Sequence, residues 1–253
     1  MKKQQTLFLS WQDPFSRDWF VIGRLTFDGE RYQFVYTKGV EEARSKRNFN
    51  PLASFPSYKT YTSTHLFPVF ANRLMSRSRP DYLSFIERLN LSDREYDPIE
   101  ILSRSGGERQ TDTLAVFPLP EVDEQGRYNL YFSAHGLRHL PESAIEKIGQ
   151  LEAGYQFWLA HEFQNPYDPQ ALTLNTEDHH LVGYCPRYLN AEIMEVRRHN
   201  SHLEVRVERV NPRPTPLQRR LLCKLSVNCQ DNFRPFSGAQ YQPLATELES
   251  CHR

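Results

Sequence analysis

The chain has 253 residues, enough to bury one large core or two small ones, and its charge is balanced, with 31 Lys and Arg against 31 Asp and Glu. That balance excludes a global field that would draw in nucleic acid or a membrane surface, so any such partner must be met by a local patch. Aromatic residues make up 13% of the chain, with Phe and Tyr far ahead of Trp, a mix that favours β-rich cores and flat contact surfaces.

The opening "MKKQQTLFLSWQDPF" has an apolar run too short for a secretory leader, and no stretch approaches membrane-spanning length. A soluble, cytoplasmic protein with no membrane partner is expected. Residues 19–37 then alternate on both sides of Asp28-Gly29, which supplies the positive φ of a tight turn, and predict a β-hairpin. Residues 44–64, rich in Ser, Pro, Asn and Tyr, read as an irregular excursion. "RPDYLSFIERLNL" predicts a helix with Tyr82, Ile86 and Leu89 on one face. "DPIEILSRSGG" predicts another, capped by Asp97, with Pro98 at the first helical position and an exit at Gly106-Gly107. "TDTLAVFPLP" is a strand running into prolines.

The polar segment "EVDEQGR", residues 121–127, reads as a linker between domains at 1–120 and 128–230, with 231–253 as a C-terminal extension. In the second half "YNLYFSAHGLRHL" begins as a strand and "PESAIEKIGQL" is a short helix. "GYQFWLAHE" and "ALTLN" are strands on either side of a polar corner. "LVGYCPRYL" runs from a strand into a helix near 187–199, and "HLEVRVERV" and "RRLLCKLSV" are strands around a proline-rich connection. The fold class is therefore α+β and β-rich, in two domains.

Catalytic motifs are missing. The chain has no GxxxxGK[ST] loop, no GxGxxG turn and no GxSxG elbow, and "HEFQN" puts Asn165 where a metalloprotease helix needs its second histidine. Cys185, Cys223, Cys229 and Cys251 form no CxxC pair, so buried reduced thiols are expected instead of a zinc site. His179 and His180 adjoin Asp178 on a turn, where histidines are usually solvated. The expectation is a binding protein without cofactor, metal or catalytic residues; a hydrolase with dispersed metal ligands is the remaining enzymatic alternative.

The order of pieces around the corner resembles the HIRAN domain, a small β-barrel module found alone in bacteria and joined to DNA helicases and remodellers in eukaryotes. The resemblance covers about 131–227 and rests on "HGLRHL", a G-x-x-x-x-L-x-x-E strand, "NPYD" at 165–168 and "VGYCPR" at 182–187. It implies a groove that binds single-stranded DNA and captures a free 3′ end. The positions concerned are Arg138, His139, Asn165, Tyr167, Asp168, Tyr184 and Arg187. Tyr167 would offer a π face to an unstacked base, Asp168 would accept from a terminal hydroxyl, and Arg138 would meet the end nucleotide or its phosphate. His139 replaces an aromatic of the family, and Tyr184 a histidine. A surplus of Arg and Lys between Arg187 and Lys224 is what phosphate contact requires. Asn165, Pro166 and Asp168 equally suit a plain corner that holds its own backbone.

The first half is similar to the N-terminal subdomain of HipA-type Ser/Thr kinase toxins. The match spans about 7–118 and rests on "GRLTFDGERYQFVYT", "LFPVFANRLMSRSRPDY" and "ILSRSGGERQTDTLAVFP". No kinase core follows. This implies a HipA-like kinase partner, with a helix-turn-helix protein of the same operon as a second candidate partner, and Phe67, Phe70, Leu74 and Met75 as the partner-facing surface. The two resemblances together suggest a non-catalytic regulator that joins DNA binding to a kinase partner. The alternative is a pure protein-interaction antitoxin whose barrel binds no DNA.

Overall fold

The computed structural model describes residues 4–92, 97–109, 111–199, 202–228 and 233–244. Packing divides the chain into two units that are interleaved in sequence. The first takes residues up to 77, 97–119 and those from 236 onward; the second takes the stretch from 78 and residues 120–235.

In the first unit, strands β1 (Gln5–Gln12), β2 (Trp19–Phe27) and β3 (Tyr32–Tyr36) are followed by helix α1 (Gly39–Arg47), β4 (Tyr61–Ser63) and a single helical turn α2 (Pro68–Ala71). Helix α3 (Tyr82–Arg88) belongs to the second unit, and the chain returns with α4 (Pro98–Ser105) and β5 (Leu114–Pro118). The five strands form an antiparallel sheet in the order β4-β3-β2-β1-β5. The expected hairpin is β2–β3, but Asp28 acts through its side chain: Oδ1 accepts from the backbone of Glu30 and Arg31 at 2.8 Å each, and Gly29 alone takes the positive φ. Asp97 caps α4 as predicted, accepting from the amides of Ile99 and Glu100, and Gly106 ends it at φ 71°.

β1 lies between β2 and β5 and is buried on both faces: Leu7 and Leu9 join the main core, Phe8 and Ser10 face the other side. The main core is aromatic. Phe34 stacks on Phe55 at 3.8 Å, and the Tyr36 hydroxyl donates to the Phe55 carbonyl at 2.7 Å while accepting from the Leu52 amide at 2.8 Å. Burial pushes the Tyr36 phenol up to about 12. The C-terminal stretch docks here. Phe236 and Tyr241 are buried against Phe8, the Leu244 amide donates to the Tyr36 carbonyl at 2.7 Å, and Lys38 donates to Gln242 at 2.8 Å.

The second unit continues with β6 (Glu121–Val122), β7 (Arg127–Ser133), a 3-10 turn at Leu137–His139, α5 (Glu142–Gly149), β8 (Gln156–His161), β9 (Leu172–Asn175) and β10 (Leu181–Tyr184). It ends with α6 (Arg187–Arg198), β11 (His202–Val210) and β12 (Leu221–Asn228). The antiparallel sheet runs β10-β9-β8-β11-β12-β7-β6. Just beyond β7, His135 exchanges backbone hydrogen bonds with Tyr184 of β10 at 2.9 and 3.0 Å, so the sheet curls into a half-barrel whose two ends meet there. The C-terminal region is thus β-rich, as the sequence predicts.

Residues 121–127 correct the linker reading: they are the β6–β7 hairpin. Asp123 holds it, with Oδ1 accepting from the amides of Gln125 and Arg127 at 2.9 Å and Oδ2 from Arg127 Nε and Asn129 Nδ2 at 3.0 Å. Those donors keep the Asp123 carboxyl well below the usual carboxylate range. Helix α3 buries Tyr82, Phe85 and Ile86 in this unit, with Leu89 just beyond it. Asn211 Nδ2 donates to the Arg88 carbonyl at 3.0 Å, and the Arg219 guanidinium lies 5.2 Å over the Phe85 ring. Among the described residues no helix is long and apolar enough to cross a membrane.

Candidate nucleic-acid interface

The site grows from the point where the half-barrel's ends meet. Gly136, at φ 78°, turns the chain into the 3-10 element; a Cβ there would stand 2.6 Å from Tyr184 Cδ2, so the tyrosine ring lies against bare backbone. Burial raises the Tyr184 phenol, as do the charge of Glu162 and the hydrogen bond it makes to Glu162. Arg138 and His139 stand exposed on the 3-10 element, with Arg138 Nε donating to His139 Nε2 at 2.9 Å.

Glu162 begins the corner between β8 and β9, and Asn165 organises it. Asn165 Nδ2 donates to Glu162 Oε2 at 2.6 Å, and its Oδ1 accepts from the amides of Tyr167 and Asp168 at 3.0 Å each. Asp168 Oδ1 accepts from the Gln170 amide at 2.9 Å, and Oδ2 accepts from Asn190 Nδ2 on α6 at 2.8 Å, with Arg187 Nε 3.7 Å away. The corner's backbone closes through Glu162 to Ala171 and Ala171 to Asp168, each at 3.0 Å. Asn165 and Asp168 therefore do the local work expected of turn residues. Between them Tyr167 is left 82% exposed, on a backbone pinned by its neighbours.

Of the residues singled out from the sequence, Asn165 and Asp168 thus fall on one hydrogen-bonded path from Glu162 through the corner to Asn190 of α6, with Arg187 3.7 Å from Asp168 and Tyr184 acted on by the Glu162 charge. Tyr167 is displayed from that path, and Arg138 and His139 flank the β10 seam. Sequence reasoning missed two members, Glu162 and Asn190. Glu162 had the signal of a carboxylate three residues before a turn asparagine; Asn190, 2% exposed inside an amphipathic helix, had none.

Residues 128–230 match the family model of the HIRAN domain. No curated protein matches the chain. Two solved structures do: a protein from Lactobacillus plantarum (21% identity, TM-score 0.33, covering 40% of this chain and 97% of that one) and the HIRAN domain of human HLTF (17% identity, TM-score 0.30, covering 42% and 79%).

The HIRAN region is less basic at its surface than its composition suggests. Arg198 pairs with Glu195, Arg206 with Glu204, Arg209 with Glu87 and Arg213 with Glu142, while Lys224 lies over the Tyr131 ring. Beside the corner Arg187 stands 3.7 Å from the Asp168 carboxylate, and Arg138 is exposed on the 3-10 element. Cys185 and Cys223 are buried and reduced, with the Cys185 thiol pushed up to about 12 by burial; Cys229 and Cys251 lie outside the described residues. His161 ends β8 with Nε2 2.7 Å from the Pro169 carbonyl, and His180 stands 3.4 Å from Asp178, which also pairs with Lys147. Among the described residues no group of three His, Cys, Asp or Glu is placed to hold a metal ion.

In the first unit Phe70 is fully buried, and Phe67 and Leu74 pack against the same core; Met75 is half-buried. Phe70 therefore has no surface to offer a partner, because the short α2 turn points it into the aromatic cluster.

Proposed function

We propose that the HIRAN region is a non-catalytic module that binds single-stranded DNA and receives a 3′ end at the β8–β9 corner. The observation that carries this reading is Tyr167: a large aromatic, 82% exposed, on a backbone fixed by Asn165. An exposed ring on a fixed backbone is a stacking platform whose main chain loses little entropy when a base covers it. Arg187 and Arg138 are the phosphate contacts in this reading. Asp168 already accepts from Gln170 and Asn190, and each carboxylate oxygen keeps a second lone pair for a terminal hydroxyl. A HipA-like kinase partner rests on sequence resemblance alone.

The test is an anisotropy titration of the full chain with oligothymidines that end in a 3′-hydroxyl or a 3′-phosphate. The hydroxyl end binds more tightly, since a carboxylate accepts from a hydroxyl and repels a phosphate. Tyr167→Ala costs about 1–3 kcal/mol of affinity, the value of one base–aromatic stack. A folded Tyr167→Ala variant that binds as wild type does would sink the reading, as would indifference to the chemistry of the 3′ end.

A further inference from the structure

Six large apolar side chains are exposed among the described residues, and three of them, Trp158, Phe163 and Tyr167, fall within ten residues on β8 and the corner it enters. Along β8 the alternation is clear: Phe157 is buried, while Gln156, Trp158 and Ala160 face outward, Trp158 at 69% exposure. The sheet register sets Arg206 of β11 opposite Gln156, and its guanidinium donates to Gln156 Oε1 at 2.9 Å. A positive charge therefore stands on the same outward face, one alternation from Trp158. At the other end of the strand His161 packs its ring on Phe163 at 4.1 Å and ties back to the Pro169 carbonyl, so the corner and the strand are one fixed piece.

We infer that Trp158 is a second base-stacking platform, and that the single strand leaving the Tyr167 corner runs back along the outward face of β8 past Phe163 toward Arg206. This rests on the single-strand reading proposed above and extends it by a direction and a length. Planar rings fit the role better than a protein-docking patch would, because no large aliphatic side chain is exposed with Trp158 on β8, where Gln156 and Ala160 share its outward face. Trp158 stands about 10 Å along the strand from His161, three residues at about 3.3 Å each, a span that a few nucleotides cover and a dinucleotide held at Tyr167 does not. Arg206 gives the backbone a charge at the far end, and its Glu204 partner must share it.

The experiment compares a thymidine dinucleotide with a thymidine octamer on the full chain, reading affinity and tryptophan fluorescence. The octamer binds more tightly than the dinucleotide and quenches the exposed Trp158. Trp158→Ala weakens the octamer about five-fold or more and leaves the dinucleotide unchanged, while Trp158→Phe, which keeps a stacking ring, restores the octamer. Circular dichroism and sedimentation on each variant accompany the titrations. If folded Trp158→Ala holds the octamer as wild type does while Tyr167→Ala loses it, the strand leaves by another path; the inference falls and the corner reading stands. If Trp158→Ala instead breaks up a dimer with no change in DNA affinity, the face is a contact between copies and the inference falls. If wild type binds neither oligonucleotide, both readings fall together.

Discussion

The two units use the same kind of side chain for opposite ends. In the first, Phe8, Phe34, Phe55, Phe70 and Phe117 are all at most 2% exposed and pack ring against ring in two clusters, Phe34 with Phe55 and Phe70 on one face of the five-stranded sheet and Phe8 with Phe117 on the other. In the second, Trp158, Phe163 and Tyr167 stand in solvent on one strand and the corner after it. An aromatic content of 13% is thus two populations, one spent on cohesion and one on display. The difference teaches where to look: a buried ring contributes through the area it removes from water, an exposed one through what later covers it.

Phe34→Ala tests the first population and carries the largest expected effect. The ring is fully buried, stacks on Phe55 at 3.8 Å and lies over Gly23, whose missing Cβ would stand 2.5 Å from it. Its loss leaves a cavity and costs about 3–5 kcal/mol, read as a lower denaturant midpoint. Tyr167→Ala, by contrast, leaves the midpoint within about 0.5 kcal/mol of wild type, since it removes an exposed side chain that caps nothing. Equal destabilisation by the two changes would erase the comparison.

Gly136→Ala comes next and probes the seam on which the display depends. The residue sits at φ 78°, and the new Cβ meets the Tyr184 ring at 2.6 Å. Strain and the displaced ring together cost about 1–3 kcal/mol of stability. Because the Tyr184 phenol feels the charge of Glu162 at the start of the corner, the shift carries into the corner, and single-strand affinity falls with Tyr167 still present. Intact affinity in a destabilised Gly136→Ala protein would show that the corner is held from the α6 side alone.

How much of this was legible from the sequence follows from how local each signal is. The corner was, because Asn165, Pro166 and Asp168 act on their own backbone within three residues. So was the cap at Asp97. The interior strand β1 was not: buried on both faces, "TLFLS" lacks the alternation that marks a half-exposed strand. Helix α1 was hidden by its polarity, since only Gly39, Val40 and Ala43 are buried. The hairpin at 121–127 resembled a linker because a turn built on one aspartate is polar throughout. Least legible were the long-range pairings. Arg209 finds Glu87 and Arg213 finds Glu142, so a run that reads as basic in sequence is largely neutralised in space.

That neutralisation sets up the smallest expected effect. With so many of the arginines between Arg187 and Lys224 engaged by carboxylates, few phosphates are met, and the slope of log affinity against log salt is shallow, about 0.7 per phosphate contact on a single strand. Arg138 stands exposed on the 3-10 element with its Nε turned to His139, leaving the rest of the guanidinium toward solvent beside the Tyr184 seam. Arg138→Ala therefore lowers the slope by about 0.7 and weakens oligonucleotides of every sequence alike. Arg209→Ala, which removes a charge bound to Glu87 in the same unit, leaves the slope as it was and lowers stability slightly. A steep wild-type slope that falls with Arg209→Ala and not with Arg138→Ala would move the backbone contacts off the corner and onto the surface of β11.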